Sequence, residues 1–108
     1  LYEHDFHVIS MQDYLTGQID IPAGKRPVVL TFDDSSASQF RLMPLANGQL
    51  AIDPNSAVGI LETFYAAYPD FGRGGHFAVN PGRLFNWAPE ADESRQTQYA
   101  AMKLRWLL

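Results

Sequence analysis

Apolar residues recur with a different period in each stretch of this chain, and the changes of period mark its elements. Residues 5–9 (DFHVI) alternate polar and apolar, which predicts a short strand. Ser10, with Asp13 three residues on, predicts a helix N-cap ahead of Met11, Tyr14 and Leu15, with Gly17 as the stop. PAGKRP (22–27) reads as a turn with proline at each end. Pro27 can open a strand, but a central strand would lose a ladder bond to it. Residues 28–32 (VVLTF) are apolar without alternation, the pattern of a strand buried on both faces.

RLMPLANGQLAID (41–53) reads as a hairpin around Asn47-Gly48, a dipeptide suited to positive φ at both central positions. Asp53-Pro54 supplies a predicted N-cap and first-turn proline for a helix over about 54–68. Val58, Leu61, Phe64, Tyr65 and Tyr68 fall at spacings of three and four there, and Pro69 ends the helix. FGRGG (71–75) turns into a second apolar strand, HFAVN (76–80), and Pro81, Gly82 and Pro89 bracket a loop. A final helix is predicted over about 93–108, with Tyr99, Met102 and Trp106 on one side together with Leu104, Leu107 and Leu108. Strands alternating with helices argue for an α/β domain of parallel strands with crossover helices.

The ends of the chain add two expectations. Leu1 in place of Met predicts that an upstream segment was removed. RWLL (105–108) ends a helix without a cap glycine, which predicts a truncated domain.

Composition narrows the function classes. The 108 residues are 46% hydrophobic and 19% charged, an ordinary globular balance for one domain. A net charge of −4 with no basic cluster argues against nucleic acid as the partner. Cysteine is absent, which excludes disulfides and thiolate metal sites, and no apolar run is long enough for a membrane span.

The candidate chemistry lies at Asp33-Asp34, two adjacent carboxylates at the C-terminal end of the 28–32 strand, where parallel α/β folds collect their active sites. Successive strand residues face opposite ways, so both converge on one site only if the strand breaks between or just after them. Ser35-Ser36-Ala37-Ser38 would permit that break. Two such carboxylates repel unless a cation is shared, and a divalent metal would serve: one Asp ligates it while the other takes a proton from bound water. A solvated turn in which one Asp caps the next segment explains the same pair.

Other patterns are weaker. Gly24-Lys25 has Ile19 and Arg26 where a phosphate-binding loop needs Gly and Ser/Thr. His4 and His7 have a helical metal spacing but fall at a strand entry, where i and i+3 face opposite sides. His76 reads as a strand-end residue. Gly72-Arg73-Gly74-Gly75 reads as a sharp turn, and most Tyr and both Trp read as core.

Thr31-Phe32-Asp33-Asp34 after a short apolar strand resembles the first motif of the polysaccharide deacetylases, the NodB-like carbohydrate esterases of family four. The run-in FHVISMQDYLTGQIDIPAGKRPVVL, the HFAVN strand and the final helix resemble that family in the same order. The resemblance covers most of the chain, at the N-terminal part of the domain. It implies an incomplete domain over 1–108, the N-terminal part of a distorted (β/α) barrel. Its parts would be a run-in over 1–26, the first-motif strand over 27–34, the helix at about 54–68, the strand at 76–80 and the last helix.

For activity the resemblance implies metal-dependent removal of acetyl groups from an acetylated polysaccharide, in an extracellular or cell-wall setting. Asp33 would be the general base and Asp34 a ligand to a divalent metal, most commonly Zn²⁺. The metal would polarise the acetyl carbonyl and acidify its water, with Asp33 taking the proton.

The departures set further expectations. Ser35 stands where the family has glycine, and the family's two metal-binding histidines have no counterpart in this chain. The chain alone is therefore expected to be an inactive fragment that associates with a second copy or with a missing C-terminal part. A non-catalytic carbohydrate-binding or interaction module of the same fold is the alternative, and an unrelated small α/β protein with a solvated DD turn a third reading.

Overall fold

A computed structural model describes residues 1–82, 84–85 and 99–108. The predicted helix start at 93 and the Pro89 loop lie outside the described residues. The fold is a mixed α/β arrangement in which both parallel strand pairs are joined by connections that contain helices.

β1 (Phe6–Val8) leads into α1 (Met11–Thr16), where Ser10 is the N-cap: its Oγ accepts from the Asp13 N–H at 3.0 Å and donates to Asp13 Oδ2 at 2.6 Å. Gly17 ends the helix at φ 70°, as predicted for the stop. The chain then returns as β2 (Arg26–Val28), parallel to β1 with His7 opposite Pro27. β3 (Thr31–Phe32) pairs in parallel with β6 (His76–Phe77), with Thr31 opposite His76 and Phe32 opposite Phe77. Between them come an antiparallel hairpin, β4 (Leu42–Pro44) with β5 (Leu50–Ile52), and then α2 (Ala57–Ala67). α3 (Ala100–Leu107) follows.

The single strand expected over 28–32 is instead two short pieces, β2 and β3, because its partner changes along its length. The N–H of Arg26 donates to Asp5 O and the N–H of Ile9 to Val28 O. Beyond that point the N–H of His76 donates to Leu30 O and that of Ala78 to Phe32 O. All four strand residues in these bonds are even-numbered. Because successive residues aim their backbone groups to opposite sides, the odd-numbered ones face the other edge. Pro27 lies on that edge, where its missing N–H removes no bond to any described strand, so it is tolerated inside β2. Burial on both faces also fails. Val28, Val29 and Leu30 are half-buried, and Thr31 is exposed.

Three boundaries move for local reasons. The N-cap of α2 is Ser56 rather than Asp53: Ser56 Oγ accepts from the Gly59 N–H at 3.2 Å. Asp53 forms the preceding turn, with its Oδ1 accepting from the Asn55 N–H at 2.9 Å. Pro54 therefore precedes the helix. In the hairpin only Gly48 takes positive φ (80°), and the Asn47 side chain bonds the Gln49 N–H instead. The 76–80 strand is ladder-paired only at His76–Phe77.

Among the described residues two buried clusters hold the fold. Phe40, Leu42, Val58 and Phe85 form one, covered by Phe77, Val79, Tyr99, Leu104 and other apolar side chains. Val8, Tyr65 and Phe71 form the other, against Phe6, Val28, Leu30 and Phe64. α2 contributes to both, through Val58 near its start and Tyr65 near its end. Lys103 of α3 is fully buried, and its Nζ donates to Phe85 O at 3.1 Å. Tyr14 and Leu15 of α1 are exposed. Tyr14 lines an apolar trough together with Ile9, Met11, Ile19, Pro27, Val28 and Val29.

Candidate functional site

The carboxylate pair is set by the strand that precedes it. Phe32 faces inward and stacks on Phe77, its register partner, with ring centroids 4.7 Å apart and planes at 13°. Gly75 makes room beside both rings: a Cβ there would come within 3.2 Å of Phe77 Cε2 and 3.5 Å of Phe32 Cε2. With Phe32 inward, alternation turns Thr31 and Asp33 outward. Thr31, Asp33, His76 and Ala78 are all exposed.

Asp34 then breaks the alternation. Its φ is 71° and that of Ser35 is 50°, two consecutive residues in the left-handed region that non-glycine residues seldom enter. The break that convergence of the two carboxylates requires is therefore present, immediately after Asp33. Both carboxylates are exposed at the C-terminal end of β3.

The turn is anchored from below. Ser35 is 1% exposed. Its Oγ accepts from the Asn80 N–H at 2.6 Å and lies 3.5 Å from Ala78 O, to which it donates. Asn80 in turn accepts the Gly82 N–H on its Oδ1 at 3.0 Å. The Gln39 side chain donates to Asp33 O, and Ser36 and Ser38 hydroxyls bond each other at 2.8 Å. Ser35 and Gln39 were not singled out as functional from the sequence. The one signal available was Ser35 in the place where the resembled family has glycine, a residue that adopts positive φ without strain.

The histidines lie elsewhere. His4 closes a short 3₁₀ turn (Tyr2–His4), and His7 on β1 places Nδ1 3.0 Å from Asp70 O. His76 opens β6, at the end of that strand away from the carboxylate turn. Among the described residues no group of three or more His, Asp or Glu side chains could hold a metal ion. The described residues thus offer a carboxylate pair and fall short of a ligand set, since a catalytic zinc usually takes three protein ligands.

A pocket between α2, the 73–75 segment, β6 and α3 is lined by Glu62, Tyr65, Arg73, Phe77 and Trp106 among others. Arg73 Nη2 bonds both Glu62 carboxylate oxygens at 2.8 Å, and Tyr65 Oη donates to Gly74 O at 2.7 Å. Gly74 and Gly75 precede β6, so this pocket sits at the N-terminal end of the strand, opposite the carboxylates. Compared with protein-family models, curated proteins and solved structures, the chain has no match in any of the three.

Proposed function

We propose that this chain carries the first part of the active site of a polysaccharide deacetylase, within the N-terminal part of a distorted (β/α) barrel. Asp33 is the general base and Asp34 a ligand to a divalent metal, Zn²⁺ by preference. The observation that supports the reading is the placement of the pair: exposed, at the C-terminal end of a parallel strand, on a left-handed turn that ends the strand's alternation. In this role Asp33 accepts the proton of a water that attacks an acetyl carbonyl of the polysaccharide. The remaining metal ligands come from outside the described residues, and the chain by itself releases no acetate.

The test is a calorimetric titration of Zn²⁺ into the chain, its Asp34→Ala variant and its Asp33→Asn variant. Weak Zn²⁺ binding that Asp34→Ala abolishes is the expected result. Absence of binding, or binding indifferent to Asp34, would overturn the metal role. The shortage of ligands among the described residues favours one second reading, a non-catalytic carbohydrate-binding module of the same fold. Oligosaccharide binding that persists in a metal chelator would select it.

A further inference from the structure

From the geometry below the turn we infer that Ser35 is a positioning residue: its buried hydroxyl fixes the direction in which Asp33 and Asp34 are presented. The inference rests on the reading of that pair as the site carboxylates. It goes beyond that reading by assigning a role to a third residue that contacts no substrate.

Ser35 is bound where a positioning group should be. Three features combine at this one residue. Its backbone occupies φ 50°, directly after Asp34 at φ 71°. Successive left-handed residues are disfavoured for L-amino acids, so something must hold the pair there. Its side chain is 1% exposed, whereas both neighbouring carboxylates are open to solvent. And its Oγ reaches across to the strand on which β3 depends, accepting the Asn80 N–H at 2.6 Å while facing Ala78 O at 3.5 Å.

The consequence is a fixed geometric relation between two chain segments 45 residues apart in sequence. The ladder bond from the Ala78 N–H to Phe32 O, 2.8 Å, ties the last strand residue before the pair to β6. The Ser35 hydroxyl ties the first residue after the pair to the exit of the same strand. Asp33 and Asp34 are therefore suspended between two attachments to one partner. Glycine would relieve the backbone strain at 35 but would leave the second attachment unmade, and alanine would lose the attachment and keep the strain. Glycine and serine at this position are thus two different solutions: one makes the turn easy, the other makes it rigid.

The experiment compares the chain with its Ser35→Gly and Ser35→Ala variants by metal-free amide NMR. The readouts are hydrogen exchange at Asn80 and residual dipolar couplings at Asp33, Asp34 and Ser35. Core amides of Phe40 and Val58 serve as the control for global folding. Loss of the Ser35 hydroxyl as acceptor predicts about tenfold or faster exchange at Asn80 in both variants, together with reoriented Asp33 and Asp34 amide vectors. Core amides should be unmoved in Ser35→Gly. Asn80 exchange and carboxylate-turn couplings that remain as in the parent in Ser35→Gly would overturn the inference, even if Ser35→Ala fails to fold.

A parallel Zn²⁺ titration separates this inference from the one beneath it. Supporting groups of metal ligands typically govern affinity by 10–100-fold, so Ser35→Gly is expected to weaken Zn²⁺ binding by about tenfold or more. If the parent chain binds no Zn²⁺, the metal role of Asp34 falls, while the NMR readouts still decide whether Ser35 sets the turn.

Discussion

Gly59→Ala is the substitution whose outcome the structure dictates most directly. In an open helix the change would stabilise, by about 1 kcal/mol from helix propensity. Gly59 is buried at the third position of α2, where the preceding turn crosses it. A Cβ would fall well inside contact distance of Asp53 O, 2.8 Å from Pro54 Cα and 2.9 Å from Asp53 C. All three are backbone atoms, so no side chain can swing aside. Asp53 O is also held, accepting the Ser56 N–H at 3.0 Å and the Ser56 hydroxyl at 2.7 Å. Relieving the clash would displace that carbonyl and loosen the Ser56 cap, a loss of about 1 kcal/mol. Forced overpacking adds roughly 1–3 kcal/mol. Set against the propensity gain, the net is a destabilisation of about 1–3 kcal/mol. For a domain of this size that corresponds to a Tm fall of about 4–8 °C per kcal/mol. Urea unfolding followed by circular dichroism measures it, with exposed Ala66→Gly as the propensity control, expected to lose about 1 kcal/mol. A Gly59→Ala chain as stable as the parent, or more so, would refute the close-approach argument.

Two further outcomes follow from other sites. Burial raises the Tyr65 hydroxyl above its usual pKa near 10. The neutral phenol is the form the fold favours, so its contribution is complete below about pH 10 and is lost as pH rises through the raised value. Tyr65→Phe should lower stability at neutral pH by about 1 kcal/mol, through loss of the bond to Gly74 O. It should also flatten the alkaline decline, which urea midpoints between pH 8 and 11 would show. The odd-numbered backbone edge of residues 27–31, beside the trough at Ile9, Tyr14 and Val29, predicts self-association at tens of micromolar. Sedimentation velocity should show it, with Thr31→Lys shifting the chain toward monomer; a parent chain that stays monomeric counts against it.

The order of elements was legible because each depended on local chemistry. Ser10 and Gly17 bound α1 through bonds made within one turn, and Pro69 closes α2 because it cannot continue a helix. What depended on distant partners was not legible. For the cap of α2 the local window offers both Asp53 and Ser56; what it does not contain is that the Ala57 and Val58 N–H groups donate to Ser38 O and Gln39 O, well upstream in the chain. The division of 28–32 into β2 and β3 depends on where β1 ends and β6 arrives, which no window of that segment contains. At the candidate site, Asp33 and Asp34 stood out as a pair of charges. The residue that binds their turn to β6 is a serine within a run of small polar residues, and only its partner 45 positions away distinguishes it.

α2 touches both buried clusters, through Val58 and Tyr65. Among the described residues each cluster has three or four buried members, and α2 supplies one to each. The helix therefore works as a rigid crankshaft between them. A loosened turn at Ser56 would be felt around Phe71 on the far side, and the two halves should melt as one transition while the shaft is intact. Break it, and the cooperativity itself is what disappears first.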